Sequence, residues 1–180
     1  MKIAITQRQI EINGFVHDCL DPNWYKLLKN HELVIIPNLI NIDLDVDIDM
    51  LVVSGGDHSN NRYKTELVVC DWAMRNNIPI MGVCHGAFFL NYAFKGVDAE
   101  IKGHRNVEHT IVMEDQEYLV NSYHDVCIYE LGQDLIPIAW SGEYVEAFKH
   151  KTLPIWGIVW HPERMEDPIL PKDLMELLYG

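Results

Sequence analysis

The feature that most constrains this chain is an apolar run that leads directly into a glycine-flanked cysteine and then a helix-forming segment. Residues 79–83 have strand character, and residues 87–94 are predicted as a buried helix. Between them, residues 82–86 spell G-x-C-x-G, the form of a nucleophile elbow, which presents a strained nucleophile above a parallel sheet. Cys84 would then lie at a helix N-terminus, which favours the thiolate. A buried structural cysteine between two incidental glycines is the alternative.

A second apolar run, residues 155–160, leads into His161-Pro162-Glu163 near the other end of the chain. Side chains two positions apart on an extended strand point to the same side, so Glu163 is predicted to hold the imidazole of His161. His161 would then take the proton of Cys84, and the three residues would form a catalytic triad. The alternative is a surface turn that ends a strand. The cysteine elbow upstream favours the triad.

These two motifs resemble those of the class I glutamine amidotransferase superfamily: Gly-Val-Cys-His-Gly at residues 82–86 and Trp-His-Pro-Glu at residues 160–163. Within it, the chain is most similar to the gamma-glutamyl hydrolase-like branch, peptidase family C26, over residues 3–165. The resemblance implies a three-layer α/β, flavodoxin-like fold with a central, mostly parallel sheet and an antiparallel β-rich C-terminal half. It also implies hydrolysis of a gamma-glutamyl amide through a glutamyl thioester, without a cofactor.

The hydrophobic pattern is consistent with this fold. Strands are predicted over residues 2–6, 33–36 and 50–53, with helices over 22–28 and 62–76, and residues 41–49 are predicted as an acidic loop. After Gly96, short strand-like runs separated by brief turns indicate an antiparallel region with strands over residues 109–113, 118–122, 135–140, 145–149 and 155–160. A helix over residues 173–179 closes the chain. The length of 180 residues suggests a single domain, residues 1–180.

The charge balance and the cysteines restrict the partners and the compartment. The chain has 14 basic and 27 acidic residues, a formal net charge of −13, which argues against binding to nucleic acid or to anionic membranes. Its four cysteines include no C-x-x-C, which suits reduced thiols. With no signal-like N-terminus and no apolar run of membrane-spanning length, we expect a cytoplasmic protein, a monomer or small homo-oligomer, that acts on a small molecule.

A thioester mechanism needs two N–H donors for the oxyanion. One would be the backbone of His85, the residue after the nucleophile. Gly55-Gly56, at the end of a predicted strand, is placed for the second, because glycine lets the backbone approach the substrate closely. In the family the corresponding glycine turn supplies this donor, so the resemblance assigns it to Gly56. An ordinary Gly-Gly turn is the alternative.

Substrate-binding residues are predicted in three further places. Asn121, Ser122, Tyr123 and His124 resemble the family stretch whose backbone helps bind the glutamyl α-amino and α-carboxylate groups; the alternative is a strand end with a turn. Glu66 is a second candidate for the α-amino group, or part of a solvated helix face. Arg8, Arg62 and Arg105 are expected near the active-site mouth, where they would suit a phosphate-bearing, nucleotide-linked leaving group, unless they are scattered surface arginines.

The chain departs from the family at Phe88. Many relatives have glutamine four residues after the nucleophile, where its side chain helps to hold substrate glutamine. Its absence favours a gamma-glutamyl substrate other than free glutamine. Three functions are therefore compared: a stand-alone gamma-glutamyl hydrolase, a glutaminase subunit that delivers ammonia to a separate synthase, and a non-catalytic binding protein on the same fold.

His58, His104 and His109 raise the question of a metal site. The sequence has no H-E-x-x-H and no paired cysteines, and these histidines form no tight ligand motif. We therefore expect no metal ligands. Together with Lys102 and Arg105, His104 is instead predicted to form a small basic loop, either solvated or in contact with an anion.

Overall fold

The structure, a computed structural model, describes residues 1–39, 42 and 46–180. The elements in chain order are β1 (Lys2–Thr6), β2 (Arg8–Ile12), β3 (Phe15–Cys19), α1 (Asn23–Leu27), β4 (Glu32–Ile36), β5 (Met50–Val53), α2 (Asn60–Arg75), β6 (Ile80–Val83), α3 (His85–Ala93), β7 (Val97–Glu100), β8 (Arg105–Met113), β9 (Gln116–Tyr123), β10 (Val126–Glu130), β11 (Leu135–Ser141), β12 (Tyr144–His150), β13 (Ile155–Ile158), a 3-10 turn (Pro162–Arg164) and α4 (Lys172–Tyr179).

One half of the main sheet is parallel, with the strand order β4-β1-β5-β6-β13. Strands β5, β6 and β13 are buried at every position, because helices or loops cover both faces of a parallel sheet. Helix α2 makes the crossover between β5 and β6, and α3 follows β6 directly. The carboxyl ends of β5, β6 and β13 therefore meet at one edge, where ligands bind in such sheets.

The sheet continues from β13 as an antiparallel region, in the order β12-β11-β8-β9, with β10 pairing with both β12 and β7. This confirms the predicted α/β fold with an antiparallel β-rich second half. Strands β7 and β10, which the sequence pattern did not predict, belong to this region. The parallel and antiparallel halves meet at β13, which pairs with β6 on one side and β12 on the other. Strand β13 and the residues after it therefore lie in the middle of the sheet.

Two apolar cores lie on opposite faces of the sheet and give the three layers. Alternate residues of β1 divide between them: Ile3 and Ile5 pack in one core with α1 and α4, and Ala4 packs in the other with α2 and α3. This alternation is the period-two pattern of a strand. None of the helices in the described part of the chain is long and apolar enough to cross a membrane.

A separate two-stranded hairpin, β2 with β3, was not predicted from the sequence. Its turn is Asn13-Gly14, with φ values of 54° and 79°. Asn-Gly between alternating apolar residues is a strong hairpin signal because both positions accept positive φ. Of the predicted acidic loop, residues 41 and 43–45 lie outside the described residues. Residues 42 and 46–49 are in neither a helix nor a strand, as predicted, with a bend at residue 49.

Candidate active site

Cys84 lies between the end of β6 and the start of α3, as the G-x-C-x-G pattern predicts. Its backbone has φ 50° and ψ −105°, a strained conformation for a residue with a side chain, and its N–H donates to the carbonyl of Ile158 at 2.8 Å. Gly86 is required because a Cβ there would lie 2.0 Å from the carbonyl oxygen of Val53. The turn is thus a nucleophile elbow in its geometry.

His161 and Glu163 form a buried pair beside Cys84. Nδ1 of His161 lies 2.6 Å from Oε1 of Glu163, and the side chains are 3% and 1% exposed. Burial alone would lower the pKa of His161, but hydrogen bonds with Cys84 and Glu163 outweigh it and raise the pKa to about 9. At neutral pH the imidazole is therefore protonated, with Cys84 on one side and a carboxylate on the other.

The route by which His161 and Glu163 meet differs from the prediction. Strand β13 ends at Ile158, and His161 precedes the 3-10 turn Pro162–Arg164. The two side chains therefore do not project from one face of an extended strand. A turn that begins at Pro162 instead folds Glu163 back toward the imidazole, which gives the same pairing through a different backbone conformation.

The backbone of His161 is held by Asn121. Nδ2 of Asn121 donates to the carbonyl of His161, and the N–H of His161 donates to Oδ1 of Asn121, both at 2.9 Å. The ring of Tyr123 meets the imidazole edge-on, with centroids 5.4 Å apart, and Arg164 lies 4.7 Å above that ring. The predicted substrate-binding stretch thus fixes the position of His161 through its side chains; a backbone contact with substrate stays a prediction.

Cys84 opens into a cavity of about 730 Å³. Its wall includes both predicted oxyanion-hole residues, Gly56 and His85, together with Phe88, Tyr123 and His124. Ser122 is fully buried and donates to the carbonyl of His104. Gly55 lies against the imidazole of His161: a Cβ at this position would be 2.5 Å from Cε1, so only glycine leaves room for the ring.

The three predicted anion-binding arginines are not equivalent, which corrects two assignments. Arg62 is fully buried and donates to Oε1 of Glu66 at 2.7 Å. It also donates to the carbonyls of Gly55 and Asp57, so its guanidinium group stabilises the glycine loop and does not face the cavity. Arg8 packs its aliphatic stem against Gly56 and is not among the residues that line the cavity. Arg105 does line the cavity, where it pairs with Asp125.

Glu66 is also corrected, since it neither contacts the cavity nor faces solvent. Its fully buried carboxylate lies 2.8 Å from Nε2 of His85 and accepts from Arg62 and Thr6. Burial would raise the pKa of Glu66, but the hydrogen bonds from His85 and the charge of Arg62 lower it. Burial lowers the pKa of His85 despite the opposing carboxylate. This network connects the elbow to the loop that carries Gly56.

An aromatic wall on α2 and α3 completes the cavity and was not predicted from the sequence. It consists of Tyr63, Phe89 and Tyr92, and the centroids of the two α3 rings lie 5.7 and 6.2 Å from that of Tyr63. His58 lies 5.5 Å from the same ring. The i, i+3 spacing of Phe89 and Tyr92 places both on one helix face, and this spacing is the sequence signal that could have identified them.

The expectation that the chain has no metal ligands stays a prediction, but the fold brings together a group of possible ligand atoms that the sequence did not indicate. His104, His124 and Glu146 bring their donor atoms within 4.8 Å of one another, and His109 lies beside them. Burial lowers the pKa of His124, although the Glu146 carboxylate opposes this shift. The residues come from separate strands, so their spacing in the sequence gave no motif.

The fold and the elbow define a class of protein. The chain belongs to the class I glutamine amidotransferase family, whose sequence model matches residues 23–174. It is 30% identical over 186 aligned positions to the gamma-glutamyl-CDP-amidate hydrolase of Campylobacter jejuni, an alignment that covers 91% of this chain and 90% of that protein.

Relatives with other activities also match. The glutamine-hydrolysing GMP synthase of Picrophilus torridus has a subunit that is 30% identical over 72% of this chain and 74% of its own length. Among solved structures, a glutamine amidotransferase from Thermotoga maritima has a TM-score of 0.70 at 16% identity and covers 90% of this chain and 76% of its own. This last likeness concerns the fold alone.

Proposed function

We propose that this protein is a cysteine-dependent hydrolase that cleaves a gamma-glutamyl amide through a glutamyl-thioester intermediate and releases glutamate. The observation that carries the proposal is that Cys84, at the wall of the cavity, lies beside His161, whose imidazole is hydrogen-bonded to Glu163 and has its pKa raised by both neighbours. A nucleophile, a base and an orienting carboxylate in contact are the arrangement of a covalent mechanism.

In the first step, the thiol proton of Cys84 passes to His161, the sulfur forms a bond to the gamma carbon as the carbonyl double bond opens, and the backbone N–H groups of Gly56 and His85 stabilise the oxyanion. His161, whose pKa of about 9 keeps it protonated, gives its proton to the departing nitrogen as the C–N bond breaks. In the second step, His161 takes a proton from water, which attacks the thioester, so that the carbon–sulfur bond breaks and glutamate leaves. Glu163 holds the imidazole through both steps.

The leaving group we propose is a nucleotide amidate: gamma-glutamyl-CDP-amidate and water would give glutamate and cytidine diphosphoramidate. The similarity to the Campylobacter jejuni hydrolase supports this choice. So does Arg105 at the cavity, since guanidinium groups bind phosphates well. The aromatic wall of Tyr63, Phe89 and Tyr92 offers the stacking surface that a nucleobase uses.

A glutaminase that supplies ammonia to a separate synthase is the second candidate, because components of glutamine-hydrolysing GMP synthases are among the relatives. Phe88 counts against it. Its ring lines the cavity, and its centroid lies 6.0 Å from that of the His124 ring. Many members of the family have a glutamine residue at this position, whose side chain helps to hold the substrate. An apolar ring there offers no hydrogen bond to an amide.

The test is a comparison of glutamate release from three substrates: gamma-glutamyl-CDP-amidate, a neutral gamma-glutamyl amide and free glutamine. We expect wild type to prefer the nucleotide amidate. Arg105→Ala should lower kcat/KM for that substrate by about tenfold and leave the neutral amide unchanged. Arg75→Ala is the matched control, since Arg75 is also exposed and ion-paired, with Asp71 at 2.9 Å, but lies outside the cavity wall.

The other outcomes separate the alternatives. Preference for free glutamine, with release of ammonia, would support the glutaminase. Equal turnover of the two gamma-glutamyl amides would remove the nucleotide assignment and leave the general hydrolase. A protein that cleaves none of the three, and whose Cys84 resists alkylation at neutral pH, would be a binding protein on this fold.

A further inference from the structure

Three side chains beside the active-site cavity, those of His104, His124 and Glu146, bring their donor atoms within 4.8 Å of one another, and His109 lies next to Glu146. These four residues are here called the histidine cluster. His104 directly precedes β8, His109 lies on β8, His124 directly follows β9, and Glu146 lies on β12. Strand β12 is separated from β8 by β11, so the side chains meet across a face of the sheet. Three separate segments of the chain thus supply polar groups to one place.

The distances within the histidine cluster are too long for good hydrogen bonds. Oε1 of Glu146 lies 4.0 Å from Nδ1 of His104 and 3.9 Å from Nε2 of His124, and Oε2 lies 3.5 Å from Nε2 of His109. N–H···O bonds are about 2.7–3.2 Å long. Two ligands at about 2.0–2.1 Å from a tetrahedral ion lie about 3.3 Å apart, so these groups would reach ligand spacing only after shifts of a few tenths of an ångström.

Two of the four side chains in the histidine cluster are buried, and polar atoms of all four lack hydrogen-bond partners in the described part of the chain. The side chains of His124 and Glu146 are each 2% exposed. Among the described residues there is no hydrogen-bond partner for Nδ1 of His104, either ring nitrogen of His109, Nε2 of His124 or Oε2 of Glu146. A buried polar atom left unpaired is destabilising, so five such atoms in one place point to a ligand that binds among them.

The tautomer of His124 is the second independent indication. Its Nδ1 lies 2.7 Å from the carbonyl of Val126, which accepts only if Nδ1 carries the proton. In the neutral ring, Nε2 then presents a lone pair toward Glu146. A histidine that ligates a metal characteristically donates its other ring N–H to a carbonyl or carboxylate, which fixes the ring and the tautomer.

We propose that His104, His109, His124 and Glu146 together bind one divalent transition-metal ion, with Zn²⁺ as the best match. Three imidazoles and one carboxylate form a donor set that suits Zn²⁺, which is normally four-coordinate. Four protein ligands would fill a tetrahedral coordination and leave no open position, so the role is structural. The ion would fix the end of β9, where Asn121 holds His161 and Tyr123 packs on it.

The experiment uses Zn²⁺ as the probe. The full-length protein is freed of metal with a chelator, and binding is measured by equilibrium dialysis with elemental analysis and by calorimetry. Wild type should bind one ion per chain, and Glu146→Gln and His124→Ala should bind it about a hundredfold more weakly or worse. The matched control, His17→Ala, removes an exposed histidine of β3 and should bind as wild type does.

Thermal unfolding with and without Zn²⁺ gives a second measurement, since a ligand that binds the folded state raises the midpoint. The midpoint should rise in wild type and in His17→Ala, and stay unchanged in Glu146→Gln. Glu146→Gln conserves the side-chain volume, so it keeps the test valid if His124→Ala does not fold. Retention of less than about one ion per ten chains by wild type, or equal binding by Glu146→Gln, would overturn the proposal. Neither result bears on turnover by Cys84, so the proposed hydrolase can fail or hold independently.

Discussion

Two buried groups of imidazole and carboxylate lie near the same cavity, and the distances within them differ. In the Cys84–His161–Glu163 group, the ring and the carboxylate are 2.6 Å apart. In the histidine cluster, the shortest nitrogen-to-oxygen distance is 3.5 Å. In the first, a short hydrogen bond between ring and carboxylate holds the imidazole beside Cys84, where it can take and give a proton. The second leaves room between its donors for an ion.

The two groups also differ in the direction in which the pKa of the imidazole is shifted. Burial opposes the charged form of both His161 and His124. Direct hydrogen bonds overcome that cost for His161 and raise its pKa to about 9. For His124 the carboxylate is 3.9 Å away and does not overcome it, so the pKa is lowered. A neutral imidazole is the form that binds a metal, and a protonated one suits an acid catalyst.

Removal of the nucleophile should give the largest effect. We expect Cys84→Ala to lower kcat by at least about 10⁴-fold, because no other group can form the thioester. Circular dichroism should show a folded protein, and Zn²⁺ binding at the histidine cluster should match wild type. Glutamate release measures the first effect. A variant that kept about a tenth of wild-type activity would show that the mechanism is not covalent.

The next effect distinguishes the two partners of Cys84. His161→Ala removes the group that moves the proton, whereas Glu163→Gln removes only the charge that orients and stabilises the ring. We expect Glu163→Gln to retain about 10- to 100-fold more activity than His161→Ala. Steady-state rates on the gamma-glutamyl substrate measure the difference. Equal losses would mean that Glu163 does more than orient the imidazole.

The parts of this site that the sequence predicted are those with a local cause. The elbow was predictable because Gly86 lies two residues after Cys84. Glycine is required there because the backbone of Val53, on the neighbouring strand β5, comes too close for a side chain. The pairing of His161 with Glu163 was also predicted, although through the wrong backbone geometry. Proline at the start of a 3-10 turn was the signal that favoured a turn over a strand.

The parts that were missed depend on which strands become neighbours. Arg62 and Glu66 are four residues apart on a helix, so the sequence was sufficient to suggest that they pair. Their burial could not be predicted, because it depends on the loop around Gly55 that packs against Arg62. The histidine cluster depends on the order β12-β11-β8-β9, which no local pattern specifies. The hairpin with Asn13-Gly14 is different, since its turn signal was present in the sequence and was not used.

The protonated state of His161 predicts a dependence of stability on pH. Its folded pKa of about 9 exceeds the ordinary value of 6.5, so its contribution is fully present below about pH 6.5 and is lost as the pH rises through about 9. Cys84 and Glu163 face the ring directly, the Tyr123 ring packs on it, and Arg164 lies 3.7 Å from Glu163. The free energy of unfolding should fall by on the order of 2–3 kcal/mol across this window.

Urea unfolding at about pH 6.5 and pH 9.5 measures this fall, and Cys84→Ala is the comparison. One of the two partners that raise the pKa of His161 is missing in the variant, so its stability should fall less. Tyrosines that titrate in this range are common to both proteins and cancel in the difference. Equal falls would show that Cys84 does not hold the proton on His161.

The smallest effect concerns the two carboxylates in metal-free protein. Glu163→Gln removes a charged hydrogen bond of 2.6 Å and should cost about 1.5–3 kcal/mol of unfolding free energy. Glu146→Gln should cost less than about 1 kcal/mol, because its carboxylate is at least 3.5 Å from each ring nitrogen and loss of a buried charge offsets what remains. Urea unfolding in the presence of a chelator compares them. A larger cost at Glu146 would mean that protonated histidines form ion pairs with its carboxylate in the absence of metal. The histidine cluster would then resemble the Cys84 site and not a set of metal ligands.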